Sequence, residues 1–332
     1  MADDAILLVP TIPDALREAA QRGTLIPFIG AGASRLAGCP NWDDFADGAL
    51  RFFVDSGKIS FAQLSQLSGL RPRVKLSLAL ELEREHTTQI PFRTLLHPRS
   101  RESHDEGRRL YAALSRLGSA FVTTNYDEWL DDKLPEPRLS LADITDASAD
   151  SGATPRSVLF KSDDLLAVNL NKPDTVLHLH GSVKEPHGMI LTTPQYVSHY
   201  ANDRRLRAGD RENPVLTFLE DLFRDKTVLF VGYGMDELEI LEYVILKSKG
   251  SRSEREQVGH FLLQGFYSHQ RELMLGLRRY YRSCGIELLP FLMDQKDHAQ
   301  LMDVLEALAA ALPATKVAVL QEFQEMERWL DG

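Results

Sequence analysis

The chain has 332 residues, of which 38 are basic and 48 acidic, for a formal net charge of −10; its 43% hydrophobic content suits a globular α/β domain, alone or with a smaller companion. That charge argues against nucleic-acid binding by the bulk surface, and the local run Arg204, Arg205 and Arg207 reads as a solvated loop. Cys39 and Cys284 offer neither a disulfide framework nor the paired spacing of a zinc site, and no transmembrane-length run or basic secretory start is present, so a cytoplasmic protein without membrane contact is expected.

In chain order, Ile12 to Gly23 reads as a helix, with Pro13 in its first turn and Gly23 as its stop. Leu25 to Ile29 is an apolar run suited to a buried parallel strand. It ends in Gly30-Ala31-Gly32-Ala33-Ser34, whose glycines allow a tight turn and let backbone N–H groups face a phosphate. A helix follows from Pro40-Asn41-Trp42-Asp43 to about Val54. The third glycine of the dinucleotide fingerprint is missing, which disfavours a hydride-transfer dehydrogenase. Residues 56–117 are helical in pattern, with Leu76, Leu78, Leu80 and Leu82 among charges, and read as an insertion forming a small subdomain or lid.

Phe121 to Thr123 is the next strand, expected to turn into a helix over Asn125–Leu134. Residues 134–174 are weakly patterned, with a candidate strand at Ser157–Lys161, and are expected near the pocket or in an interface. A strand at Val176–Leu179 precedes helices at Thr193–Tyr200 and Pro214–Arg224. The strand Thr227–Val231 ends in Gly232-Tyr233-Gly234, and a helix is expected over Asp236–Lys247. His260–Leu263 and Ile286–Pro290 read as the last strands. Asp297 and Gln300 suggest a capping box for the helix carrying Leu301, Val304, Leu305 and Leu308, which Pro313 stops. An amphipathic helix over Ala314–Leu330 carries Val317, Leu320, Phe323 and Trp329. The pattern predicts an α/β, Rossmann-like open parallel sheet flanked by helices over residues 1–292, with C-terminal helices over 293–332 packing on it or forming an interface.

Four strand ends deliver polar or glycine residues, and in open parallel sheets ligands bind beyond such ends. Asn125 can position a water or a ribose hydroxyl, and Asp127 can accept the amide N–H of a nicotinamide-type group; either can also cap a helix. His180, just before Gly181, can act as a base on a ribose hydroxyl or be structural, while His178 is the candidate for the structural role. Gly232 and Gly234 can admit a ribose or phosphate or form a plain turn, and Ser34 can bond phosphate or cap a helix.

The order of these motifs resembles the sirtuin superfamily. Gly30-Ala31-Gly32-Ala33-Ser34 matches its Gly-Ala-Gly-x-Ser, Thr123-Thr124-Asn125-Tyr126-Asp127 its Thr-Gln-Asn-x-Asp, and His180-Gly181 its His-Gly. Gly232-Tyr233-Gly234 resembles its later nucleotide loop, with glycine in place of the usual serine. The four-cysteine zinc module of deacylating sirtuins is missing, and Gly38-Cys39-Pro40-Asn41-Trp42 is similar to the zinc-free, sirtuin-like domains of bacterial antiphage defence systems. The resemblance implies NAD as a substrate cleaved to nicotinamide and ADP-ribose, or to a cyclised product, without zinc. It places the pyrophosphate on Gly30, Ala31, Gly32 and Ser34, with Asn41 or Trp42 walling the nicotinamide side and Asp127 holding the carboxamide. Asn125 would orient ribose and water, and His180 would serve as base or hydroxyl partner; Gly232, Tyr233 and Gly234 would lie against the nucleotide. It also implies a homo-oligomer and a partner such as a HerA-type ATPase or a short Argonaute-like protein. A zinc-free protein deacylase and a non-catalytic NAD- or ADP-ribose-sensing subunit are the alternatives.

Overall fold

A computed structural model describes residues 5–98, 100–134, 153–201, 213–234 and 259–313. In chain order the strands are β1 (Leu25–Ile29), β2 (Ala120–Thr123), β3 (Asp132–Lys133), β4 (Thr154–Pro155), β5 (Ser157–Leu159), β6 (Thr175–His178), β7 (Thr227–Val231), β8 (His260–Phe266) and β9 (Ile286–Leu292). Seven of them form one parallel sheet in the order β5-β6-β2-β1-β7-β8-β9, and β3 pairs with β4 in a small antiparallel ribbon.

The strands are continuous apolar runs because both faces of the sheet are covered. Ile26 and Phe28 of β1 join Val122, Leu177, Val228 and Phe230 in one core, completed by Phe218, Leu219 and Leu222 of α9 (Pro214–Asp225) and Met274 and Tyr281 of α10 (Arg271–Ser283). Leu25 and Ile29, the alternate residues, join Phe121, Val176, Leu229 and Val231 in a second core. That face is closed by α1 (Asp14–Gln21), α7 (Arg101–Leu114) and α11 (Gln300–Ala311). The result is a three-layer α/β, Rossmann-like fold.

A third core lies off the sheet. Phe45, Leu50 and Phe53 of α3 (Trp42–Asp55) pack with Leu76 and Ala79 of α5 (Pro72–His86) and Phe92 of α6 (Phe92–Leu96). Asn41 caps α3 through a bond from the Asp44 N–H at 2.9 Å, and Pro72 opens α5 at a position where no N–H is needed. Tyr126, Val183, Met189 and Leu191, from the loops after β2 and β6, complete this core, so the helical module rests directly on the strand ends. The chain places β2 and β6 on one side of β1 and then returns to β7 on the other. The crevice where this order reverses is the standard ligand position of such sheets.

Several local expectations change. No helix follows β2: the chain from Asn125 runs through turns into β3. The Asp127 carboxylate accepts from Trp129 N–H at 3.1 Å, and such a side-chain-to-backbone bond two residues ahead holds a turn instead of capping a helix. Asp297 does not cap the helix beginning at Gln300; it sits at φ 51° in a short 3₁₀ turn and accepts from the Tyr267 hydroxyl, while Gln300 donates to the Leu8 carbonyl. The strands β8 and β9 run on to Phe266 and Leu292. Leu110, Tyr111 and Leu114 of α7 pack on the sheet and not in the helical module. The helices expected over Asp236–Lys247 and Ala314–Leu330, and the arginine run at 204–207, lie outside the described residues.

Candidate active site

The carboxyl ends of β1 and β7 touch. Gly30 N–H donates to Val231 O at 2.9 Å and Gly32 N–H to Gly232 O at 2.8 Å. A Cβ on Gly30 would stand 2.6 Å from Gly232 O, and one on Gly232, whose φ is +61°, would stand 2.5 Å from Ala33 N. Two turns can cross this closely only without side chains. The glycines therefore serve first to bring these two loops together, and the Gly32 N–H is already engaged. After Gly30 the chain enters a short helix, α2 (Ala31–Leu36).

Over this crossing opens a cavity of about 1020 Å³. Ala31, Gly32, Ser34, Asn41, Trp42, Asn125, Asp127, His180, Gly232, Tyr233 and Gly234 all line it. Gly30 reaches the site through its carbonyl, which accepts from Asn125 Nδ2 at 3.0 Å. The volume and the mixture of apolar walls with a few polar groups fit a nucleotide-sized ligand.

Asn125 is held on every side but one. Its backbone N–H donates to Thr123 Oγ1 at 3.0 Å, and its side-chain Nδ2 donates to both Gly30 O and, at 2.8 Å, Ser34 Oγ. Ser34 Oγ in turn donates to Asp127 Oδ2 at 2.6 Å and lies 3.2 Å from the Tyr111 hydroxyl. Both amide protons are thus engaged, which leaves Oδ1 as the acceptor end of a side chain that lines the cavity. Each oxygen of Asp127 already accepts one bond, from Ser34 and from Trp129, and burial pushes its carboxyl above the ordinary carboxylate value.

His180 stands on a different kind of wall. Only 4% exposed, it has Nε2 2.8 Å from the Tyr200 hydroxyl and shares a further bond with the Thr124 backbone. Tyr196 and Tyr200, four residues apart on and just after α8 (Thr193–His199), meet its ring edge-on, with centroids 5.8 and 5.9 Å away. Burial, then His199 and Arg73, lower its pKa to about 3, so the ring is neutral at physiological pH. Gly181, at φ +85°, turns the chain where a Cβ would stand 2.6 Å from Gly188 O, which explains why glycine follows this histidine.

His178, the structural candidate, is fully buried behind the site. Nδ1 lies 2.8 Å from Asn125 O and Nε2 2.9 Å from Asp131 Oδ1. Trp42 meets Tyr126 edge-on at 5.9 Å, and Tyr233 packs edge-on to Phe28 at 5.1 Å, so both rings are anchored as walls.

The sequence reading missed Tyr111, Tyr196, Tyr200, Arg73 and Gln264. Arg73 comes from α5, stacks its guanidinium 4.0 Å over the Tyr196 ring, and lines the cavity; only the folded chain brings it there. Gln264 lines the far end of the cavity from β8 with its side-chain oxygen buried and unbonded. The Tyr196–Tyr200 spacing on a short helix was the one available signal, and it marks a helix face without saying what that face meets.

A crossed-glycine switch point carrying an oriented carboxamide and a neutral histidine defines a nucleotide-handling α/β protein. The model of the SIR2-like domain family matches residues 119–289, more than half of the chain. The chain belongs to that family, and its function is an NAD-related one of the sirtuin superfamily. No curated protein matched the chain. Among the described residues, no group of three or more His, Cys, Asp or Glu side chains is placed to hold a metal ion, and no helix is long and apolar enough to cross a membrane.

Proposed function

We propose that the chain is an NAD glycohydrolase. The reading rests on one observation above all: Asn125, its side-chain amide held by Gly30 O and Ser34 Oγ, and a neutral His180 line the same cavity. The C1′–N bond of NAD breaks with its electron pair passing to the nicotinamide nitrogen, which leaves an oxocarbenium-like ribose. Water then adds to C1′ and loses one proton, giving ADP-ribose, nicotinamide and a proton. Such a transition state gains most from preorganised dipoles. Asn125 Oδ1 accepts from the attacking water or a ribose hydroxyl. His180 Nε2, neutral and able to accept a hydrogen bond, takes a ribose hydroxyl once the substrate displaces the Tyr200 hydroxyl, and the proton lost by the water passes to solvent. The carboxylate of Asp127 keeps free lone pairs for the nicotinamide amide, with Trp42 as a wall.

The test is release of free nicotinamide from NAD by the purified protein, alone and with the product of a neighbouring gene. Turnover abolished by Asn125→Ala supports the reading. Binding of NAD or ADP-ribose without turnover in either state would favour a sensing subunit. The setting we propose, on the Gly38-Cys39-Pro40-Asn41-Trp42 resemblance, is antiphage defence by NAD depletion. The chain would act there as a homo-oligomer restrained or triggered by a HerA-type or short Argonaute-like partner. A strictly monomeric mass in solution with full activity alone would overturn that setting.

A further inference from the structure

We infer that His178 is a buried imidazolium that acts as a positioning residue, fixing the aim of Asn125 through its backbone carbonyl. The inference rests on the proposed function only in treating Asn125 as the reacting-site group. Its ground is donor and acceptor chemistry. The ring is 0% exposed and each nitrogen has one partner within bonding distance: Asn125 O at 2.8 Å for Nδ1 and Asp131 Oδ1 at 2.9 Å for Nε2. A carbonyl can only accept, so Nδ1 carries a proton. Asp131 could donate to Nε2 only if it were itself protonated. The Lys184 ammonium, 2.7 Å from Asp131 Oδ2, holds it ionised. Nε2 therefore carries a proton as well, and a ring with two N–H groups is a cation.

The line from the surface inward is thus an ammonium, a carboxylate, an imidazolium and the carbonyl of the residue that faces the cavity. Charge-assisted bonds of this kind are shorter and about twice as strong as neutral ones. This one fixes the Asn125 peptide plane from behind, while Gly30 O and Ser34 Oγ fix the side-chain amide from the front. Without it the Asn125 peptide plane would be held from the front alone.

The charged groups facing this ring are few. Asp131 and Lys184 form the chain just described, and Asp127 adds a second negative charge from the loop after β2. Arg156, before β5, lies beyond Asp131 and donates to the carbonyls of Leu130 and Asp132 and to Ser115 Oγ. Burial opposes a charge on His178, but the Asp131 hydrogen bond and charge outweigh it and hold the ring above the ordinary value of 6.5. Burial likewise opposes ionisation of Asp131, yet His178 and Lys184 bring it below 3.8. A raised histidine contributes its stabilisation in full below pH 6.5 and loses it as pH rises through the folded value.

The experiment is ring-¹⁵N NMR of the full chain labelled on histidine, with His178→Gln for assignment. His178 should show two protonated nitrogens at neutral pH and remain so above 6.5. In Asp131→Asn it should become neutral, and the Asn125 side-chain NH₂ should lose its slow exchange with solvent. The same variant should lower kcat on the order of tenfold with little change in KM, the split expected when orientation and not binding is lost. A neutral His178 in the wild-type chain overturns the inference, whether or not any variant folds. A charged ring with an unaltered Asn125 amide in Asp131→Asn overturns the positioning role. If both signatures hold while the wild type releases no nicotinamide, the device stands and the glycohydrolase reading is what falls.

Discussion

Two histidines two residues apart, at the end of one strand, were given opposite chemistries by the two walls they face. His178 points into a wall of ions, with Asp131, Lys184 and Asp127 around it, and is held above its ordinary pKa. His180 points into a wall of rings, Tyr196, Tyr200 and Tyr126, and is held at about 3. Two residues apart they would share one face of a regular strand, but β6 ends at His178 and the turn through Leu179 and Gly181, at φ +85°, swings His180 to the other wall. The ionic wall fixes geometry, since charge-assisted bonds are directional. Burial within the aromatic wall, with His199 and Arg73 beside it, removes charge and leaves a neutral imidazole that can accept a hydrogen bond. One site thus obtains an Asn125 held from behind by His178 and a neutral, hydrogen-bond-accepting ring from His180, two residues further on.

The largest effect should come from removing the group where the ionic wall ends. Asn125→Ala should lower NAD turnover on the order of 10²- to 10³-fold, as loss of one preorganised polar group does elsewhere. It also leaves Gly30 O and Ser34 Oγ without their donor, at a cost of about 1–3 kcal/mol, which a domain with three packed cores survives. Nicotinamide release beside a thermal melt separates the two effects. A folded variant with full turnover would place the chemistry elsewhere.

His180→Phe should lower turnover less, by about tenfold, the worth of one hydrogen bond to a ribose hydroxyl. It should also change the pH dependence of stability. In the wild type the unfolded chain takes up a proton near pH 6.5 while folded His180 stays neutral down to about 3, so stability falls as pH drops across that window. His199, also lowered by burial, adds to the same limb. The variant should flatten it, whereas Asp131→Asn should flatten the alkaline limb that His178 supplies. Melts across pH decide this. The same slope in wild type and His180→Phe would show that the aromatic wall does not set the charge.

How much of this contrast could be read in advance follows from how local each cause is. The sheet was legible because strands buried on both faces are unbroken apolar runs, as β1 and β7 are. The strand-end residues were legible because motif order survives in sequence, and Asn125, His180 and the two glycine turns do line one cavity. What the sequence could not reveal is who answers them. Asp131, Tyr111 and Arg73 reach the site from a turn, a sheet-covering helix and the helical module, and nothing in their local pattern announces it. The helix expected after Asn125 failed for the same reason: its capping residues had been recruited by Ser34 and Gly30 across the fold.

A smaller effect, on stability more than chemistry, is expected where the walls meet the glycine crossing. Gly232→Ala meets Ala33 N at 2.5 Å and must also hold φ +61°, so it should cost about 1–3 kcal/mol and weaken nucleotide binding by moving the β7 turn off β1. Gly57→Ala, also at positive φ but in open space, isolates the backbone strain from the clash. Equal losses in both would mean that the close approach of the two turns contributes nothing.

The smallest expected effect is none at all, on removing metal. The chain has only two cysteines, and both are buried at separate places, Cys39 beside the cavity and Cys284 in the sheet core. Metal binding needs a thiolate, and burial followed by the Asp127 charge drives the Cys39 thiol well above its ordinary value, so it stays protonated. The two walls hold their shape through Asp131–Lys184, Asn125–Ser34 and the packed tyrosines, and among the described residues no three His, Cys, Asp or Glu side chains converge as ligands. Chelator treatment should therefore leave both the melting temperature and nicotinamide release unchanged. A melting temperature that falls on chelation and returns with zinc would mean that a metal supports one of these walls, and the ionic one, with its carboxylates, would be the place to look.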